Sequence, residues 1–243
     1  MPRYKIIIGY DGTDFAGWQY QPDFRTVQGE LEKALREFGE GAISVTGAGR
    51  TDAGVHALGQ TAHFDLKREI APQDLRAALN AKTPGDIYVK SLESVPADFH
   101  ARFSAQWRRY LYVIAKEPSP IGRRFSWYPP FDYDFKILRQ IVSDILGGND
   151  FAGFCRAKSQ KENTICTVAY AAWTQNDSQY VFEITADRFL HEMVRLLVGT
   201  MIDIARRRFD PDRLVNILHS GDVALCGGAA PPQGLFLAEV GYD

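Results

Sequence analysis

Strand-like and helix-like hydrophobic patterns alternate along this chain, and their order constrains the fold more than any other feature. Apolar residues occupy every second position over residues 3–10, which is typical of a strand, and Asp11-Gly12 follows as a turn. Helical spacing of apolar residues predicts a helix that begins after the capping residue Thr26 and ends at Gly39. Further strands are predicted at 55–65, 87–95 and 107–115, with a short helix from Pro72.

The second part of the chain repeats this mixture after a connection at 118–130 that is rich in proline and arginine. The patterns predict a helix at 134–146 closed by Gly147-Gly148, paired strands at 164–174 and 178–187, a long helix from Phe189 to about Arg207, a helix from Asp210-Pro211 and a strand at 235–240. Strands and helices on both sides of a linker predict an α+β fold of two halves, residues 1–115 and 116–243, each with a mostly antiparallel sheet.

Composition is that of a globular protein, with 45% hydrophobic and 24% charged residues. The apolar segment near the N-terminus is too short for a signal peptide or a membrane span, which predicts a cytoplasmic protein. The three cysteines contain no C-x-x-C pair, so reduced thiols are expected.

The formal net charge of −2 weighs against nucleic-acid binding, because affinity for phosphates comes from lysine and arginine. Basic residues nevertheless cluster along the chain, which leaves open a basic face on an acidic body, although each cluster alone is ordinary solvated surface. These clusters are Lys67-Arg68, Arg108-Arg109, Arg123-Arg124, Arg156 to Lys161 and Arg206 to Arg208.

The segment from Gly47 to Ala57 carries three glycines in eight residues around an Arg-x-Asp, which indicates tight turns or a close backbone approach. A dinucleotide-binding loop is not favoured, because Asp52 stands where that motif has its third glycine and a strand follows. A zinc site using His56, His63 and Asp65 would need a fourth ligand that the spacing does not offer, so no metal site is predicted. Spacing alone favours Asp52 as the residue of an Asx-turn or a cap over a functional role.

The segment Gly49-Arg50-Thr51-Asp52-Ala53-Gly54-Val55-His56-Ala57 resembles the signature of the tRNA pseudouridine synthase A family. Further blocks that resemble this family cover nearly the whole chain. They are Asp11 to Gln19, Thr26-Val27-Gln28, Phe99 to Phe103, Arg109 to Tyr112, Asp150-Phe151, Phe189 to Arg195 and Pro232 to Leu235.

The resemblance implies a cofactor-free isomerase that converts uridine to pseudouridine in tRNA, with positions 38, 39 and 40 of the anticodon stem-loop expected. The target nucleotide must be flipped out of its stack, and Arg50 could insert where the base left. Asp52 would be the catalytic carboxylate, and Arg195 would keep it charged. Tyr110 would stack on the uracil, and Leu235 would close the floor of the pocket.

The implied fold is a pair of RRM-like halves whose mostly antiparallel sheets join around a central basic cleft, in a homodimer that binds tRNA. The predicted long helix places Arg195 in mid-helix on one stripe with Arg188 and His191. Spacing alone explains Arg195 instead as an exposed helix charge paired with Glu192. Two residues depart from the family pattern, since Cys166 falls where arginine is common and Glu192 where a basic residue is common.

Two other functions are compatible with the residues. A non-catalytic RNA-binding or RNA-chaperone protein could use the same basic cleft, but it would have no use for a carboxylate facing phosphate. A small-molecule enzyme could use Asp52 as a general base, but that function leaves Arg50 and Tyr110 without a role.

Overall fold

A computed structural model describes residues 1–38, 41–156 and 163–242. The chain forms two compact units, Met1–Gln106 with Phe236–Asp243, and Trp107–Leu235. The strands are β1 (Arg3–Tyr10), β2 (Thr46–Gly47), β3 (His56–Asp65), β4 (Ile87–Val95), β5 (Trp107–Ala115), β6 (Gly147–Asp150), β7 (Ile165–Gln175), β8 (Gln179–Ala186) and β9 (Leu235–Gly241). The helices are α1 (Val27–Arg36), α2 (Pro72–Lys82), α3 (Phe135–Ile141), α4 (Met193–Ala205) and α5 (Arg213–Ser220).

The first unit contains a sheet with the strand order β4-β1-β3-β9, and β2 pairs separately with β3. All of its pairings are antiparallel except the short one between β3 and β9. The alternation predicted for residues 3–10 is confirmed, because Tyr4, Ile6 and Ile8 of β1 are completely buried while the residues between them are half-exposed. Thr26 caps α1 as predicted, since its side chain accepts the Gly29 N–H at 3.2 Å. The predicted helix end at Gly39 lies outside the described residues.

The second unit contains the strands β5-β8-β7-β6 in that order, all antiparallel. Tyr110, Tyr112 and Ile114 occupy alternate positions of β5 and are buried on one face of this predicted strand. Every residue of α4 except Arg195 is buried, which agrees with a sequence that is apolar apart from Arg195, Thr200 and Asp203. The α+β class with mostly antiparallel sheets is therefore confirmed, and the division of the chain at residues 115 and 116 stays a prediction.

Two predicted helices have different bounds in the structure. The helix predicted from Phe189 begins only at Met193, because Glu192 adopts a left-handed conformation with φ 60°. Arg188 and His191 therefore lie outside the helix, and the stripe predicted for them with Arg195 is wrong. The helix predicted over 134–146 is confined to α3 and a following 3-10 turn, and Gly147-Gly148 opens strand β6 instead of closing a helix.

No helix within residues 1–38, 41–156 and 163–242 is long and apolar enough to cross a membrane.

Candidate active site

Asp52 lies in the loop between β2 and β3, and this loop is fastened to the segment that follows β1. The Thr51 carbonyl accepts the N–H of Trp18 at 3.0 Å, and the N–H of Gly54 donates to the Phe15 carbonyl at 3.3 Å. The Asp52 carbonyl accepts the Val55 N–H at 3.1 Å, which closes a turn that begins at Asp52. The local backbone of Asp52 is thus held from both sides.

Glycines of the facing segment make this close approach possible. A Cβ on Gly12 would lie 2.0 Å from the Val55 carbonyl oxygen, and one on Gly17 would lie 2.7 Å from that of Thr51. Gly17 also has φ +99°, a conformation that residues with a side chain rarely adopt. Sequence reasoning predicted a close approach near Asp52 but missed these partners, because only tertiary packing brings residues 12 and 17 onto the loop.

The side chains around Asp52 alternate between the interior and the surface. Thr51 is 6% exposed, and its hydroxyl lies 2.8 Å from the Tyr10 hydroxyl. The buried amide of Gln60 donates to the Gly49 carbonyl at 2.8 Å. Arg50 is exposed and Asp52 is half-buried, so the loop presents a cation and a carboxylate towards its outer side.

His56 and His63, the two histidines considered as metal ligands, bind backbone groups of the first unit. The His56 Nδ1 accepts the Gly12 N–H at 3.0 Å and lies 3.2 Å from the Asp11 carboxylate. The His63 Nδ1 accepts the Ala101 N–H at 3.1 Å, and burial lowers the pKa of His63 below its usual value. Both rings therefore help to fix the chain around β3.

In the second unit, Arg195 is the third residue of α4 and its side chain is 14% exposed. Its Nε donates to the Ala230 carbonyl at 2.7 Å, and its Nη1 lies 3.1 Å from the Glu192 carboxylate. The other Glu192 oxygen forms an ion pair with Arg156, so one carboxylate joins two arginines. The pairing with Glu192 agrees with the spacing, but Arg195 is not the exposed helix charge that spacing alone suggested.

Tyr110 and Tyr112 share the buried face of β5 but have different surroundings. The Tyr110 ring is 8% exposed and meets Phe189 edge-to-face, with ring centroids 4.9 Å apart. The Tyr112 hydroxyl donates to the Pro231 carbonyl at 2.8 Å, and burial raises the pKa of Tyr112 while nearby Arg195 opposes the rise. Tyr112 is therefore a core aromatic of the second unit. Leu235, the first residue of β9, is 5% exposed.

Several of the predicted basic clusters have acidic partners. Arg206 and Arg208 bind the Asp203 carboxylate at 3.4 and 3.2 Å, and Arg109 lies 3.6 Å from Glu183. In the cluster from Arg156 to Lys161 only Arg156 is among the described residues. These pairs reduce the positive charge that the sequence clusters suggested.

The predicted site residues divide between the two units. Arg50 and Asp52 belong to one loop of the first unit, whereas Tyr110, Arg195 and Leu235 belong to the second unit. Each group is ordered by hydrogen bonds and packing within its own unit. In the first unit, a half-buried carboxylate and an exposed arginine thus lie on one loop whose backbone is fixed by hydrogen bonds.

Comparison with known proteins identifies the class of enzyme. A family model described as tRNA pseudouridine synthase matches residues 6–104 and 141–243, which include every predicted site residue except Tyr110. The chain belongs to this family, whose members are isomerases that make pseudouridine in tRNA.

Individual relatives carry the name tRNA pseudouridine synthase A. The protein of that name from Streptococcus mutans is 40% identical over 248 residues, and the one from Listeria innocua is 39% identical, each alignment covering all of both chains. The Geobacillus protein is 40% identical over 244 residues, covering 99% of this chain and 98% of its own. A chain of a solved Cbf5-Nop10-Gar1 complex matches 82% of this chain and 53% of its own at 9% identity and a TM-score of 0.34, a likeness too weak to support an inference.

Proposed function

We propose that this chain isomerises uridine to pseudouridine at positions 38, 39 and 40 of the tRNA anticodon stem-loop, with Asp52 as the catalytic carboxylate. In this reaction the bond between C1' and N1 breaks, the base rotates, and C5 bonds to C1'. The hydrogen that leaves C5 passes to water, and N1 gains a proton, so no atom is gained or lost. The proposed chemistry uses protein side chains and no cofactor. The observation that carries the proposal is a half-buried Asp52 on a loop whose backbone is fixed by the first unit.

The other site residues receive roles in the same reaction. Tyr110 stacks on the flipped uracil, and Leu235 supplies an apolar contact to it. Arg195 stabilises the ionised form of Asp52, because an arginine stays protonated at all working pH values. Arg50, which is exposed beside Asp52, takes the place of the flipped base in the stem.

The decisive test measures tritium released from tRNA labelled at uracil C5. Wild-type protein is expected to release label, and Asp52→Asn is expected to lower the rate by on the order of a thousandfold or more. Asp177→Asn, which changes an exposed carboxylate in the β7–β8 turn, serves as the control and should keep the wild-type rate. Comparable release by the Asp52→Asn variant would exclude the assigned role.

Site preference is tested with tRNA transcripts that keep uridine at only one of positions 38, 39 and 40. Release of label is expected from each transcript, and a transcript without uridine at all three should give none. A non-catalytic RNA-binding protein would bind all four transcripts and release label from none of them, so this assay distinguishes it from an enzyme. Membership of the family does not favour the non-catalytic alternative.

We also propose that the enzyme is a homodimer that acts in the cytoplasm. In a homodimer one tRNA would contact the basic residues of two protomers, which supplies more positive surface than one monomer of formal charge −2 offers. Light scattering should then give twice the 27.3 kDa mass of one chain, and cell fractionation should recover the activity in the cytosol.

A further inference from the structure

A buried tyrosine that the proposed reaction does not use touches the residue next to Asp52. Tyr10 ends β1, is 5% exposed, and places its hydroxyl 2.8 Å from the Thr51 hydroxyl. Burial raises the pKa of Tyr10 above its ordinary value, and its hydrogen bonds to Thr51 and Gln60 oppose the rise. The phenol therefore keeps its proton and acts as a hydrogen-bonding group, not as a base.

Gln60 fixes the same loop from the neighbouring strand. It faces Ile8 in the pairing of β1 with β3, is completely buried, and donates from its amide to the Gly49 carbonyl at 2.8 Å. Two interior side chains thus hold residues 49 and 51, and the Trp18 N–H holds the Thr51 carbonyl. Because Thr51 is bound through both its side chain and its backbone, the backbone that leads into Asp52 is held in one orientation.

We propose that Tyr10 is a positioning residue that orients the Asp52 carboxylate by holding the Thr51 hydroxyl. This inference rests on the proposed role of Asp52. A reacting carboxylate must stay within about half an ångström of its productive position, and a shift of about 1 Å reduces a rate by roughly a hundredfold. Loss of the Tyr10 hydroxyl leaves the buried Thr51 hydroxyl without this partner, so Thr51 turns towards another one and Asp52 moves with it.

The matched comparison is Tyr10→Phe against Tyr4→Phe. Tyr4 is completely buried on the same face of β1, and its hydroxyl both donates to the Ile70 carbonyl and accepts the Ile70 N–H, at 2.9 and 2.8 Å. Both variants therefore lose a buried phenol hydroxyl, but only Tyr10 contacts the loop of Asp52. Tyr10→Phe is expected to lower kcat by roughly tenfold to a hundredfold with KM changed by less than about threefold, and Tyr4→Phe to keep kcat within about twofold.

Variants of Thr51 test the same hydrogen bond from its other end. Thr51→Val should lower kcat about as much as Tyr10→Phe, and Thr51→Ser, which keeps the hydroxyl, should recover most of the activity. The double variant Tyr10→Phe/Thr51→Val should be no slower than Tyr10→Phe alone, because Tyr10→Phe already removes the hydrogen bond that Thr51→Val removes. If Tyr10→Phe does not fold, the difference between Thr51→Val and Thr51→Ser carries the test alone.

Equal kcat losses in Tyr10→Phe and Tyr4→Phe would overturn the proposal, since the hydroxyl would then serve the fold alone. Additive losses in the double variant would overturn it as well. An inactive Asp52→Asn variant together with a fully active Tyr10→Phe variant would reject the positioning role and leave the proposed function standing. An active Asp52→Asn variant would reject both.

Discussion

Replacing Gly17 by alanine tests how tightly the loop of Asp52 is held. The new Cβ would lie 2.7 Å from the Thr51 carbonyl oxygen, whereas ordinary contacts begin at 3.4 Å, so the loop must retreat by about 0.7 Å. A carboxylate displaced by that distance is expected to lose roughly tenfold to a hundredfold in kcat. The φ of +99° adds strain of about 1–3 kcal/mol, and the collision adds a similar loss of folding free energy.

Gly147→Ala separates the collision from the strain. Gly147 has φ +81°, but a Cβ there meets no atom within 4 Å, so this variant carries the backbone strain without a collision. The assay pairs tritium release from labelled tRNA with urea unfolding of each variant. Gly147→Ala is expected to lose only stability, and Gly17→Ala both stability and kcat. A folded Gly17→Ala variant with wild-type kcat would refute the reasoning that this contact positions Asp52.

Three further outcomes follow from charged and buried groups. Glu192→Gln should lower the unfolding free energy by about 1–3 kcal/mol, because the Glu192 side chain is 8% exposed and contacts two arginines. Glu183→Gln should change it by less than about 0.5 kcal/mol, because the pair of Glu183 with Arg109 is half-exposed and 3.6 Å apart. Equal effects in the two variants would contradict this. The pKa of His63 is lowered by burial and by the neighbouring Arg3 and His100, with Asp65 opposing. The unfolded chain therefore binds more protons, so the unfolding free energy falls as the pH drops below the ordinary His pKa of 6.5. Urea unfolding at about pH 5 and about pH 7.5 should show this difference in unfolding free energy, and His63→Gln should reduce it. Burial raises the pKa of all three cysteine thiols, that of Cys166 to about 12. A thiol reagent should therefore react slowly with the native protein and should modify three thiols after unfolding. Fast reaction of all three thiols in the native protein would contradict this burial.

Elements with a strong hydrophobic period were predictable from the sequence. The structure contains both the predicted alternation in β1 and the predicted capped start of α1. Both elements bury their apolar side chains on one face, which is why the hydrophobic period revealed them. Strand β6 was missed for the opposite reason: its residues, Gly147 to Asp150, include no apolar side chain and none of them is buried. Only pairing with β7 makes this segment a strand, and a polar segment carries no hydrophobic period that reveals such a pairing.

The residues of the candidate loop could be predicted from the sequence, but the contacts that hold this loop could not. Asp52 and Arg50 could be identified through the signature of the loop, since their neighbours along the chain carry the resemblance. Tyr10 and Gly17 act on the same loop from more than 30 positions away, and no spacing rule connects them to it. Hydrogen bonds and steric contacts of this kind depend on the register of strands and turns, which the sequence pattern predicts only approximately.

The start of α4 determines the surroundings of Arg195. Apolar residues continue through Phe189 and Leu190, so periodicity alone extends the helix too far, and the left-handed Glu192 ends that extension at a cost of about 1–2 kcal/mol. Arg195 consequently lies in the first helical turn, where the partial positive charge of the helix terminus disfavours a cation by about 0.3–1 kcal/mol. The Glu192 carboxylate and the Ala230 carbonyl offset this repulsion and hold the guanidinium in one orientation. Arg195 is therefore a cation whose orientation is fixed by contacts within its own unit, and a fixed orientation suits the role proposed for it.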